Sequence, residues 1–212
     1  MRIAVLGTGM VGRTLAPAFQ RLGHEVAVGT RDPDATRARE DWTLDLPLKT
    51  YAAAAEGADL VVNATNGMGS LAALEAVGAD RLAGKVVLDA ANPLDGSQGF
   101  PPTLAVKDTD SLAEQIQRAF PEARVVKSLN TVNCLVMVDP SRVGAGDTTM
   151  FVAGDDPVAR STVVDLLREL GWSDVVEFDQ LSAARGMEMW LPLWICLMGR
   201  LGTGDFNLRV VR

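Results

Sequence analysis

Apolar runs of strand length alternate along this chain with segments whose apolar positions recur at helical spacing. Arg2–Leu6 (Arg-Ile-Ala-Val-Leu) reads as a buried strand, residues 10–22 as a helix and residues 24–28 as a second strand. Residues 43–49 give a weak third strand, residues 51–56 a short Ala-rich helix and residues 59–64 a clear fourth strand. A helix is predicted over 70–77, a fifth strand over 85–89 and a Gly/Pro-rich loop over 90–102. Residues 111–120 form a helix opened by Ser111 and Glu114 at capping-box spacing, and 124–129 a sixth strand. Beyond Asn130 the rhythm changes to a strand (149–153), an amphipathic helix (157–170, opened by Asp155 or Asp156) and a short strand (175–178). Residues 181–200 read as one helix, apolar nearly all round. That pattern predicts burial on two sides, against the chain's own sheet and against a partner subunit or a bound ring.

The first strand runs into the first helix through Gly7-Thr8-Gly9-Met10-Val11-Gly12. A dinucleotide uses each glycine differently: the first for the tight turn, the second for approach of the pyrophosphate to bare backbone, the third for close helix–strand packing. Open N–H groups at the helix start then meet the phosphates. With strands and helices alternating across short loops, the fold class is α/β: a Rossmann-type doubly wound parallel sheet with a small C-terminal extension of strand and helix. Residues 1–130 are expected to form the dinucleotide-binding domain, and 131–212 a smaller acceptor and dimerisation region packed on it.

The end of the second strand bears on which dinucleotide is bound. Thr30 offers a hydroxyl, and Arg31 a planar cation suited to a 2′-phosphate, with Arg37 and Arg39 further on to add charge. Asp32 stands near the position of an acid that binds the ribose hydroxyls of NAD, but Pro33 follows it, which favours a capping role. NADP(H) is therefore expected, with NAD left open by Asp32.

The chain has 212 residues, 48% hydrophobic and 22% charged, with a net charge of −7. That balance fits a globular protein and argues against nucleic-acid or anionic-membrane partners, which need clustered Lys and Arg. The apolar stretch 189–198 contains Pro192 and is far shorter than the ~20 residues that span a bilayer, and no leader segment is read before the first strand. A cytoplasmic protein is expected. Cys134 and Cys196 fit no metal or redox spacing and are expected to be reduced, packed thiols. The only histidine, His24, opens a strand on the side of the sheet away from the phosphates and reads as structural. Lys127 reads as a solvated lysine flanking the sixth strand, with lysine-assisted chemistry as the alternative. No catalytic residue is assigned.

The opening segment resembles the NADPH-dependent reductases of the deazaflavin coenzyme F-420 and, more distantly, the cytoplasmic domain of the STEAP metalloreductases. So do Gly23-His24-Glu25-Val26, Lys127-Ser128-Leu129-Asn130-Thr131, Phe151-Val152-Ala153-Gly154-Asp155-Asp156, Arg185-Gly186-Met187-Glu188 and Leu191-Pro192-Leu193. The resemblance implies that Thr8, Thr30 and Arg31 bind the 2′-phosphate; a family lysine is Ala35 here, leaving Arg37 as its substitute. It implies a nicotinamide side built from Ala64-Thr65-Asn66-Gly67-Met68 and Ala91-Asn92-Pro93. Where the deazaflavin reductases carry a bulky Pro-Trp-x-His-type segment, this chain has Asn66-Gly67-Met68-Gly69-Ser70. Their His-Thr after the sixth strand is Asn130-Thr131, closer to the metalloreductase branch. The expected activity is hydride transfer between NADP(H) and coenzyme F-420 or a flavin, in a pocket walled by Met68, Asn130, Met187, Trp190 and Trp194. The alternative is a non-catalytic NADP(H) sensor. A homodimer joined through the late apolar helix is expected.

Overall fold

Val, Ile and Leu fill the runs that become strands in the computed structural model, which describes residues Met1–Arg212. The strands are β1 (Arg2–Leu6), β2 (Glu25–Thr30), β3 (Leu48–Thr50), β4 (Leu60–Asn63), β5 (Val86–Asp89), β6 (Leu94–Asp95), β7 (Thr103–Leu104), β8 (Arg124–Ser128), β9 (Thr149–Ala153) and β10 (Asp174–Phe178). The helices are α1 (Met10–Arg21), α2 (Pro33–Arg37), α3 (Tyr51–Ala55), α4 (Ser70–Val77), α5 (Ala79–Leu82), α6 (Leu112–Ala119), α7 (Cys134–Val138), α8 (Pro157–Glu169), α9 (Ala184–Met189) and α10 (Leu191–Leu201). Caps fall where the sequence places them. Ser111 Oγ accepts from the Glu114 amide (3.1 Å) and donates to its carboxylate (2.7 Å), and Asp156, not Asp155, caps α8.

Eight strands form one sheet in the order β10-β9-β8-β5-β4-β1-β2-β3. From β3 to β8 the strands are parallel and follow the usual Rossmann order. β9 then runs antiparallel to β8, with Lys127 opposite Ala153, and β10 is parallel to β9. The wholly parallel sheet expected from the sequence is therefore corrected to a mixed one. Between β8 and β9 the chain carries only α7 and two short 3-10 turns rather than a long crossover helix, and it enters the sheet reversed. Strands from both sides of residue 130 thus share one sheet.

Alternate side chains of each strand feed two cores. Ile3 and Val5 join Leu15 and Phe19 of α1, Val163 and Leu167 of α8, and Trp172 on one face. Ala4 and Leu6 join Leu74 of α4, Ile116 of α6, Leu181 and Ala184 on the other.

Four further expectations are corrected. The third strand shrinks to Leu48–Thr50: the segment before it ends in Pro47, and Trp42 and Leu46 pack on the core from a loop. The 90–102 loop contains half of a small hairpin, β6 paired with β7. The late helix is interrupted at Trp190, because Pro192 has no N–H to bond the Glu188 carbonyl. Only Leu191 and Ile195 of α10 are buried, and Leu193 and Leu201 are 54% and 56% exposed, so the helix is covered on one side within this chain. Cys134 is buried but Cys196 is exposed, against the expectation of two packed thiols. No helix is long and apolar enough to cross a membrane.

Candidate functional site

At the carboxyl end of β1 the chain turns with Gly7 at φ +120°, and the Gly7 amide donates to the Gly29 carbonyl (2.9 Å). A Cβ on Gly7 would lie 2.4 Å from the Ala64 carbonyl oxygen, and one on Gly12 would lie 2.0 Å from the Gly7 carbonyl oxygen. Both glycines are required by the packing itself. A Cβ on Gly9 would meet nothing within 4 Å, so this glycine keeps space open rather than fitting a neighbour. Gly9 is also the N-cap of α1 and supplies no side-chain cap; the first bond runs from the Arg13 amide to its carbonyl (3.0 Å). The amides of Met10, Val11 and Gly12 therefore face that space as unpaired donors, as an anionic group requires.

Asp32 caps α2, its Oδ1 accepting from the Asp34 (3.0 Å) and Ala35 (2.9 Å) amides, which occupies one of its oxygens. Thr30 is buried and pairs its hydroxyl with that of Thr36 at 2.9 Å. Arg31 is exposed and free of ion pairs, close enough to Tyr51 that its charge opposes the effect of burial on the phenol. Arg37 turns away, bonded to Asp34 (2.8 Å) and the Leu48 carbonyl (3.1 Å). The cation brought to the glycine loop is Arg39, which donates to Thr8 Oγ1 (2.9 Å) and the Thr8 carbonyl (3.2 Å).

The loops after β4 and β5 meet backbone to backbone: a Cβ on Gly67 would lie 1.9 Å from the Asn92 carbonyl oxygen. Asn63, fully buried at the end of β4, donates to Ser70 (2.9 Å) and Asp89 (2.8 Å) and accepts from the Thr65 hydroxyl (2.7 Å). Asn92 and Asn130 bond each other reciprocally, Asn92 Nδ2 to the Asn130 carbonyl (2.8 Å) and Asn130 Nδ2 to Asn92 Oδ1 (2.9 Å). Asn130 Nδ2 also reaches the Met187 carbonyl (3.1 Å), while its Oδ1 is buried without a partner.

These loops, the start of α1, α7 and α10 enclose a cleft of about 580 Å³. Met10, Val11, Ala64, Thr65, Asn66, Ala91, Asn92, Asn130 and Trp194 line it, as do Val132, Cys134, Met137, Leu191 and Met198, which the sequence did not place at the site. Its lining carries no Asp, Glu, Lys, Arg or His. Met187 and Trp190 stand apart, in a separate apolar groove with Thr131, Phe151 and Phe178. Met68 is 61% exposed and lines neither space, and Pro93 accepts from the Ala105 amide beside the hairpin.

Beneath the cleft lies a cluster the sequence hid. Lys127 is completely buried, not solvated, and donates to Asp89 Oδ2 (2.8 Å), Glu188 Oε1 (2.8 Å) and the Ala91 carbonyl (2.5 Å). Burial pulls its pKa down, but Asp89 and Glu188 more than offset this and hold it above the ordinary lysine range. Burial likewise pushes Glu188 up, against the pull of Lys127. Glu188 also accepts from the Leu112 and Ala113 amides at the start of α6 (2.8 and 3.3 Å). The one available signal was a lone Glu inside the late apolar run.

A family described as NADP oxidoreductase, coenzyme F420-dependent, matches residues 2–93. A crystal structure from Arthrobacter sp. FB24, described as a candidate F420-dependent NADP reductase, is 55% identical over the full length of both chains, with a TM-score of 0.97. The chain belongs to the F420-dependent NADP oxidoreductase family. The F420-dependent NADP reductase of Methanothermobacter thermautotrophicus is 28% identical over 99% of this chain and 94% of its own length. The family is related to the STEAP metalloreductases: rat metalloreductase STEAP3 is 26% identical over 91% of this chain, which spans only 38% of that protein.

Proposed function

We propose that this protein binds NADP(H) along the glycine loop and exchanges hydride with a flat ring acceptor, coenzyme F420 or a flavin, in the adjoining cleft. The observation that carries the reading is the character of that cleft. Its walls join the start of α1 to the β4 and β5 loops and to α10, and they bear no Asp, Glu, Lys, Arg or His side chain. Such walls suit a reaction in which the protein holds two rings in register and moves no proton itself.

The chain fits the cofactor by its own geometry: the open space at Gly9, the three unpaired amides of α1 and the unpaired Arg31 match a pyrophosphate and a 2′-phosphate. When bound, the reduced nicotinamide supplies the hydride. Thr65, fixed by Asn63, and Asn92, fixed by Asn130, shape the floor on that side. The unpartnered Asn130 Oδ1 offers an acceptor to an N–H of either ring. Trp194 and Leu191 exclude water from above. Oxidation of NADPH followed at 340 nm with coenzyme F420, FMN and FAD tests the reading. Tight NADPH binding with no turnover by any of the three would replace it with a sensing role.

A further inference from the structure

Arg39 lies across the glycine loop, and its guanidinium also grips the Asp41 carboxylate, Nε to Oδ1 at 2.9 Å and Nη2 to Oδ2 at 2.8 Å. Arg13, directly after Gly12 on α1, reaches the same carboxylate with Nη1 to Oδ2 at 3.0 Å and donates to the Asp41 carbonyl. One carboxylate is thus held by two guanidinium groups, one of which is bonded to Thr8. A bidentate arginine backed by a second arginine is also the arrangement that receives a phosphate monoester. The neighbouring cations differ: Arg37 is committed to Asp34 and the Leu48 carbonyl, and Arg31 has no carboxylate partner.

We propose that Asp41 is a built-in competitor of the 2′-phosphate of NADP(H), occupying Arg39 and Arg13 in the free protein and yielding Arg39 when the cofactor binds. The proposal rests on the dinucleotide reading above and adds to it two residues that set cofactor preference. The side chain of Asp41 is half exposed, and those of Arg39 and Arg13 are 39% and 27% exposed, so their pairing is a weak surface contact that a stronger ligand displaces. The hydrogen bond from Arg39 holds the Asp41 carboxyl below the usual carboxylate range, so it stays charged at neutral pH. A phosphate monoester carries close to two charges and three acceptor oxygens, and outcompetes a single carboxylate for the same guanidinium. The cost of displacing Asp41 falls on NADPH alone, because NADH lacks the group that needs Arg39.

Dissociation constants for NADPH and NADH, measured by titration calorimetry on the full chain, test this. Asp41→Asn is expected to tighten NADPH binding about two- to five-fold, the range of an exposed ion pair, and to move NADH less than two-fold. Arg39→Gln is expected to weaken NADPH about ten-fold or more and to abolish most of the gain from Asp41→Asn in the double variant. Equal tightening of both dinucleotides by Asp41→Asn would place the carboxylate against the pyrophosphate and overturn the proposal. So would unchanged or weaker NADPH binding in a variant whose melting temperature matches the wild type. A wild type that binds neither dinucleotide would overturn the underlying reading instead, which separates the two failures.

Discussion

Replacing Lys127 with Met removes the only cation from a cluster in which Asp89 and Glu188 are 0% and 1% exposed. Met keeps most of the aliphatic stem, so the loss is chiefly that of the ammonium and its three bonds, to Asp89, Glu188 and the Ala91 carbonyl. Breaking one side of a buried ion pair costs roughly 3–5 kcal/mol, because the remaining charge is left uncompensated. In a protein of this size each kcal/mol shifts the melting temperature by about 2–4 °C, so a drop of roughly 6–20 °C is expected at pH 7. The pH dependence carries the sign. In the wild type the raised Lys127 pKa gives stability that is fully present below the unfolded lysine value and is lost only as pH rises through the higher folded value. In Lys127→Met the stranded Glu188 carboxyl, already pushed up by burial, loses the cation that pulls it down, so stability should instead recover as pH falls and it takes up a proton. Glu188→Gln added to Lys127→Met removes one stranded charge and should restore part of the loss. Melting followed by circular dichroism between pH 5 and 9 measures the loss in the variants and its pH dependence. A drop under about 2 °C at pH 7, or a deficit that deepens on acidification, would refute the argument.

Gly9→Val should melt close to the wild type, because its side chain enters open space, while calorimetry detects no dinucleotide binding; unchanged affinity would reduce the loop to a turn. Arg31→Ala should weaken NADPH by about ten- to a hundred-fold, the scale of a charge-assisted hydrogen bond, and NADH far less; equal losses would remove Arg31 from the 2′-phosphate site. Light scattering at micromolar concentration should give a homodimer, with exposed Met189, Leu193 and Leu201 at the contact, and a monomer would overturn this.

The elements most legible in the sequence are those whose local pattern and tertiary role agree. β1, β4 and β5 are short runs buried on both faces, and parallel sheets demand such runs. Asp32 was readable as a cap because Pro33 follows it. The reversed direction of β9 was not readable, since strand direction depends on the path of the chain through 129–148 and not on the strand's own residues. Arg37 and Arg39 are equally spaced candidates in one dimension; which one reaches Thr8 is settled by the bond that ties Arg37 to β3. Lys127 misled most, for a lysine at a strand end is usually solvated, and its two carboxylate partners lie in other elements.

That cluster also ties the apolar cleft into the fold. Walls of Leu191, Trp194 and Met198 offer contact area but little direction, and their alignment over the β4 and β5 loops must come from elsewhere. Glu188, three residues before Leu191, is pinned by Lys127 and by the amides of α6, and Lys127 in turn holds the Ala91 carbonyl and Asp89. Asp89 is bonded to Asn63, which fixes Thr65 on the facing loop. The polar groups therefore form a continuous seam just below the cleft, joining the wall to the floor while leaving the cleft surface uncharged. On the proposed hydride-transfer reading, changes to Lys127, Asp89 or Glu188 are expected to lower turnover at saturating NADPH through ring alignment before they alter the NADPH dissociation constant, and a loss of affinity with unchanged turnover would overturn this.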